Sequence, residues 1–407
     1  MAGGVQLKGW ALVAAFCTAH VLSILGFAAF AALLPGFFVE WGLSSTQAGW
    51  IGGIYFAGYA AAVLVLTGVT DRIDPRRVYI ACALLGVAAS LGFAWLADGF
   101  WSALVWRMVA GIAVAGTYMP GLKAMGERLT GLHPSRALAV YTAMFGLGAS
   151  LSYLAAGELG AILPWRTVFA LLAAGPAAAA LVIFVAARPH APAGAGSARR
   201  ALDLRPVLRN RAAMAYILAY GAHCWELMGM RAWIVAYLVF SETLQRAGLT
   251  LWSAAAIAAL ANLIGVAGSI LGNELCVRLG RRRVVVTAML ASALLGCVLG
   301  FGAAQPHLLV AALAVIYGLL VMVDSASIIA GAVIEAPADQ KGATMAVLSF
   351  VGFTASFLGP LAFGVVLDLA GGRYSVGGWG WAFALLSLGG VCGVFALGRA
   401  ADRVDGE

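Results

Sequence analysis

Apolar residues run in long blocks along this chain, and short polar breaks separate them. Twelve blocks stand out, at about 9–34, 46–69, 78–97, 101–122, 137–159 and 167–187, then 213–240, 251–275, 284–304, 308–334, 343–369 and 380–398. Each is close to the roughly 20 residues that a helix needs to cross a bilayer. A backbone in lipid must satisfy its own hydrogen bonds, which predicts helices for these blocks. The alternating, roughly ten-residue segments of a membrane β-barrel do not occur. The expected fold is an all-α integral membrane protein.

A polar motif recurs between the blocks. After block two the chain reads Gly68-Val69-Thr70-Asp71-Arg72-Ile73-Asp74-Pro75-Arg76-Arg77. After block eight it reads Asn273-Glu274-Leu275-Cys276-Val277-Arg278-Leu279-Gly280-Arg281-Arg282-Arg283. Setting Asp71 against Val277 gives an offset of 206 residues, and Arg72 and Arg76 then meet Arg278 and Arg282. A half-length repeat in apolar surroundings predicts a duplicated membrane protein, as many secondary transporters are. The expected organisation is a six-helix bundle over 1–187, a cytoplasmic linker over 188–212 and a second six-helix bundle over 213–407. The linker mixes Pro, Gly, Ala and Arg, with a short surface helix expected near Asp203 to Arg209.

Composition narrows the class. Hydrophobic residues make up 63% of the 407 and charged residues 10%, with a mean hydropathy of +0.97. A soluble domain carries about 25% charged residues. The net charge of +8 would suit nucleic acid or an anionic surface if the cations clustered for it. They do not. With the N-terminus in the cytoplasm, the cations of the loops, from Lys8 through Arg72, Arg128, Arg199 and Arg281 to Arg403, fall on one side, and only Arg166, Arg246 and Arg373 on the other. This positive-inside pattern places both termini and the linker in the cytoplasm of a bacterial inner membrane. The basic balance is a topology signal, so no nucleic-acid partner is expected. The six cysteines form no secreted-style framework and are expected as free thiols. The first apolar block is too long for a signal-peptide core and is expected to be retained.

Three short patterns point further. They are Asp71-Arg72 with Arg76-Arg77 after block two, Arg107-Met108-Val109-Ala110-Gly111 in block four, and Trp165-Arg166 with Phe169 after block five. Together they resemble the major facilitator superfamily of secondary transporters, over essentially the whole chain. The resemblance implies two pseudo-symmetric six-helix bundles around a central cavity lined by spans one, four, seven and ten. It implies a cytoplasmic gate built from Asp71, Arg72, Arg76, Arg278 and Arg282, and a part for Arg107 in proton coupling. The chain departs from the family pattern at Thr67 and at Asp74-Pro75, where glycines are usual. Val277 replaces the acid of the second copy, so the gating role falls to the first. The Gly-Pro pair of span five that marks drug/proton antiporters is absent, and Gly359-Pro360 appears in span eleven instead.

A charge at the bilayer centre costs about 2.5–3.5 kcal/mol on insertion scales, so each one calls for a reason. The candidates among the charges within the blocks are His20, Arg107, His223, Glu226, Arg231 and Asp324, on spans one, four, seven and ten. The 206-residue offset sets His20 opposite Glu226 as a candidate proton site. Histidine titrates near pH 6.5, and burial raises a carboxylic acid towards that range. His223 lies about 60° round the helix from Glu226, and Arg231 about 140° round, so Arg231 is not a simple intrahelical partner. Arg107 and Arg231 suit a small carboxylate or an inorganic oxyanion, with Tyr118 lining the pocket. A soft-metal set of Cys17, His20, His223, Cys224 and Glu226 is the minor alternative.

The expected function is secondary active transport of a small, anionic organic solute by a monomer, coupled to protons and without a cofactor. Proton-driven efflux of drugs or amphipathic metabolites is the alternative. No nucleotide loop, His-Glu-x-x-His pair or Gly-x-Ser-x-Gly elbow occurs, so no enzyme is expected. The topology is directly testable. A cysteine placed at position 199 should resist membrane-impermeant thiol reagents in intact cells and react in inverted vesicles; labelling from outside would overturn the orientation.

Overall fold

The computed structural model describes residues 8–129, 134–190, 204–245, 252–338 and 340–401. Among them there is no strand. The helices are α1 (Gly9–Ser23), α2 (Ala29–Glu40), α3 (Ser45–Val69), α4 (Pro75–Leu96), α5 (Phe100–Arg128), α6 (Pro134–Ile162), α7 (Trp165–Leu172) and α8 (Ala174–Ala186). The second half holds α9 (Arg205–Arg209), α10 (Arg211–Thr243), α11 (Ala254–Leu279), α12 (Arg281–Phe301), α13 (His307–Val323), α14 (Ser325–Ile334), α15 (Lys341–Leu369) and α16 (Val376–Ala401). Ten helical stretches are long and apolar enough to cross a membrane. The α1–α2 pair and α10 account for the other two blocks; His223, Glu226 and Arg231 lower the apolarity of α10. The short helix expected in the linker is α9. Residues 191–203 of that linker, and the loop cations Arg199, Arg200, Arg246 and Arg403, lie outside the described residues.

Three blocks are interrupted. A helix broken in lipid leaves backbone groups that need new partners. Between α1 and α2, Ser152 of α6 supplies them: its hydroxyl accepts the Ala28 amide at 2.9 Å and donates to the Leu25 carbonyl at 2.5 Å. The guanidinium of Arg107 donates to the Phe27 carbonyl in the same turn at 3.3 Å. The α7–α8 break falls at Ala173, three residues before Pro176, which lacks an amide donor. The α13–α14 break falls on Asp324. Pro120 and Pro360, by contrast, lie inside α5 and α15, which run on without interruption.

The chain forms two compact units, Met1–Leu33 with Ile54–Ala198, and Leu34–Gly53 with Arg199–Glu407. The repeat is visible in how each is packed. In the first, Gly111 of α5 sits so close to the Tyr55 carbonyl of α3 that a Cβ would not fit. In the second, Gly318 of α13 sits in the same way against the Ala261 carbonyl of α11. Positions 111 and 318 lie 207 residues apart, and 55 and 261 lie 206 apart. Small residues at such crossings let backbones approach in lipid. In the second unit the start of α3 is tied to the end of α15. Asp368 accepts the Ser45 amide at 3.0 Å and both the amide and the hydroxyl of Thr46 at 2.8 Å. Arg373 donates to the Leu43 carbonyl at 3.1 Å and stands over the Phe38 ring at 4.7 Å.

The polar end of the first unit is organised by Asp74. Its carboxylate caps α4 by accepting the Arg76 amide at 2.9 Å, pairs with Arg128 at 2.7 Å and accepts the His190 amide at 2.8 Å. Burial alone would raise this carboxyl. The His190 amide, the Arg128 guanidinium and the Arg76 amide outweigh that and hold it below its ordinary value. The stabilisation is therefore present above the unfolded-state value of about 3.9 and is lost as pH falls through the lower folded-state value. Asp74→Asn should lower stability by about 2–4 kcal/mol at pH 7, since it strips a buried ion pair and weakens a helix cap. Thermal unfolding in detergent between pH 7 and pH 3 should show the difference between variant and parent shrinking at the acid end.

Candidate functional site

In the first unit the charged residue is Arg107, only 6% exposed. The Arg107–Gly111 spacing has a physical cause. Four residues is about one helical turn, so both face α3. Gly111 lets the α3 backbone come into contact, and this sets the Tyr55 ring 4.7 Å from the guanidinium carbon; the Phe30 ring lies 5.9 Å away. The arginine thus has two aromatic faces and one carbonyl. No carboxylate among the described residues pairs with it. His20, fully buried, stacks on Tyr141 at 4.7 Å and lies 5.1 Å from Tyr118. Neither of its ring nitrogens has a hydrogen-bond partner.

In the second unit, α10 presents three buried charges. His223 Nδ1 stands 2.7 Å from Oδ1 of Asp324, at the α13–α14 break. Glu226, 2% exposed, accepts the Tyr317 hydroxyl at 3.0 Å and the Ser292 hydroxyl at 3.2 Å. Ser292 Oγ also lies 3.1 Å from the Met289 carbonyl, so its proton has two possible acceptors. Arg231 donates its Nε–H to Asn262 Oδ1 at 2.7 Å. Among the described residues, the partners of the Glu226 carboxylate are the Tyr317 and Ser292 hydroxyls. Gly390 of α16 packs beside this carboxylate, where a Cβ would come 3.4 Å from Glu226 Oε2.

The sequence candidates therefore fall into separate groups. His223 and Asp324 meet. His20 and Tyr118 meet. Glu226 turns to hydroxyls on α12 and α13, and His20 turns to rings on α5 and α6, so each already has its own set of neighbours. Cys17 and Cys224 are buried free thiols, and no three His, Cys, Asp or Glu side chains among the described residues converge on a metal-binding position. Of the gating candidates, Asp71 pairs with Lys123 at 2.8 Å, and Arg72 is exposed. Arg76 is buried and donates to the Phe184 carbonyl at 2.8 Å. Arg278 pairs with Glu274 on an exposed face, and Arg282 lies 3.5 Å from the Gly398 carbonyl.

Several site residues carried no signal in the sequence. Ser292, Tyr317 and Asn262 are neutral residues in apolar blocks, and only three-dimensional proximity to a charge distinguishes them.

A family model for the Major Facilitator Superfamily matches residues 16–360. The uncharacterized MFS-type transporter Ent638_1421 of Enterobacter sp. (strain 638) is 25% identical over 299 residues, 71% of this chain and 73% of that protein. The uncharacterized MFS-type transporter YcaD of Escherichia coli O45:K1 is 31% identical over 151 residues, so this chain spans only 39% of its length. Among solved structures, a bacterial homologue of the human lysosomal transporter Spinster, inward-facing and occupied, superposes with a TM-score of 0.74 at 16% identity, covering 98% of this chain and 96% of that one. The nucleoside transporter NupG superposes with a TM-score of 0.75 at 15% identity, covering 95% and 98%. These two share the fold. With the family model matching most of its length, the chain belongs to the Major Facilitator Superfamily.

Proposed function

We propose that this protein is a secondary active transporter that moves a small anionic organic solute across the inner membrane by alternating access, coupled to protons. Its sequence relatives carry MFS-type transporter names, and its fold is shared with a nucleoside transporter and a Spinster homologue. The moving parts would be the halves 1–187 and 213–407 on either side of the 188–212 linker, with Asp71, Arg72 and Arg76 at the cytoplasmic gate. The anionic solute is favoured by the buried guanidinium of Arg231 on α10.

Proton coupling rests on the setting of Glu226. An ionised carboxylate this deep is costly without a cation, and this one has two hydroxyls only. Both protonation states can be accommodated. Ionised, Glu226 accepts from Tyr317 and Ser292. Protonated, it donates to Ser292 Oγ, whose own proton turns to the Met289 carbonyl at 3.1 Å. A group that keeps its neighbours satisfied in either state can load and release a proton without rearranging the bundle. Coupling then requires that protonation of Glu226 raise the affinity for the anion, and by reciprocal linkage the anion raises the affinity for the proton by the same factor.

Glu226→Gln mimics the protonated state. In proteoliposomes loaded with a pH-sensitive dye and challenged with a panel of small carboxylates, the parent should move protons with the solute. The variant should keep solute counterflow but lose solute-driven proton movement by tenfold or more. Unchanged coupling and pH dependence in Glu226→Gln would transfer the role to Asp324.

A further inference from the structure

A small cavity lies inside the first unit, bounded by α1, α3, α4, α5, α7 and α8. Arg107, Tyr55 and Trp106 are among its lining residues, with Ser23, Ser90 and Thr117. Its volume is about 40 Å³. One water needs roughly 10–15 Å³ of such space, whereas pockets for organic ligands run to roughly 300–1,000 Å³. The cavity therefore admits a monoatomic ion or a few waters and excludes an organic solute.

Two of its lining residues carry unsatisfied donors. Arg107 Nε and Tyr55 Oη are both buried with no hydrogen-bond partner. Arg107 and Tyr55 are 6% and 3% exposed. The guanidinium is a full positive charge with no carboxylate beside it, and its two aromatic neighbours compensate only a fraction of that. A buried cation of this kind needs a counter-charge.

We infer that the cavity beside Arg107 and Tyr55 is a binding site for a monoatomic inorganic anion of the halide class. The guanidinium supplies the charge, and the Tyr55 hydroxyl supplies a second, neutral donor. Both residues line the one cavity, and the guanidinium carbon stands 4.7 Å from the centre of the Tyr55 ring. The site is separate from that of the transported solute, because its volume rules out an organic molecule, and it holds whether or not the protein is proton coupled.

The full-length protein in detergent is dialysed against sodium gluconate, and gluconate is then replaced by chloride or bromide at constant ionic strength. Chloride and bromide should each raise the melting temperature along a saturating curve, since a ligand that binds only the folded state stabilises it by mass action. Gluconate, too large for the cavity, should not. Tyr55→Phe removes one hydroxyl and keeps the guanidinium. It should raise the half-saturating chloride concentration by about tenfold, the scale of one hydrogen bond to a charged group. Arg107→Gln should abolish the halide response; if that variant fails to fold, the Tyr55→Phe titration decides alone. A halide response equal to that of gluconate, or one that Tyr55→Phe leaves unchanged, would show that the cavity holds water and overturn the assignment.

Discussion

A charge taken out of water must find its partners nearby, and that constraint shapes this protein more than any other. Asp74 meets it fully, with two amides and a guanidinium around one carboxylate. Arg76 meets it with a carbonyl and the face of Phe184, 5.0 Å away. His223 and Asp324 stand together, Nδ1 2.7 Å from Oδ1. Glu226 and Arg107 meet it differently. The acid has only hydroxyls, and the base has only rings and one carbonyl. Where compensation is complete, the group stabilises a fold. Where it is incomplete, a proton or an ion can supply the remainder, and those two places are where the functional proposals fall.

The helices were legible because lipid leaves the backbone no other choice. Apolar length alone located the blocks, and the linker helix followed from its Asp203–Arg209 surroundings. The breaks were not legible. The α1–α2 interruption depends on a hydroxyl from Ser152, more than 120 residues along the chain. Nothing in the local sequence distinguishes Ser152 from its neighbour Ser150.

The candidate site was legible as a set of charges and illegible as a set of contacts. Repeat symmetry aligned His20 with Glu226, but side-chain direction follows local packing, which the two halves do not share. Glu226 turns towards Tyr317 and Ser292, whose hydroxyls it accepts, and His20 lies against Tyr141 and Tyr118. Asp74 shows the converse. As a residue where glycine is usual, it read as a departure from a pattern, yet it joins the start of α4, the end of α5 and the residues that follow α8.

The contact between Gly111 and the Tyr55 carbonyl gives the Arg107-to-Gly111 spacing a meaning beyond chemistry. Four residues is a lever of one helical turn, with its pivot where the two backbones touch and the guanidinium at its tip. Inserting or deleting one residue between them would swing the tip by about 100°. It would leave the hydropathy of the block almost unchanged, so the span would still enter the membrane and pass any test of apolar length. The register of that turn, invisible to the bilayer, is fixed only by the fit of one helix against another.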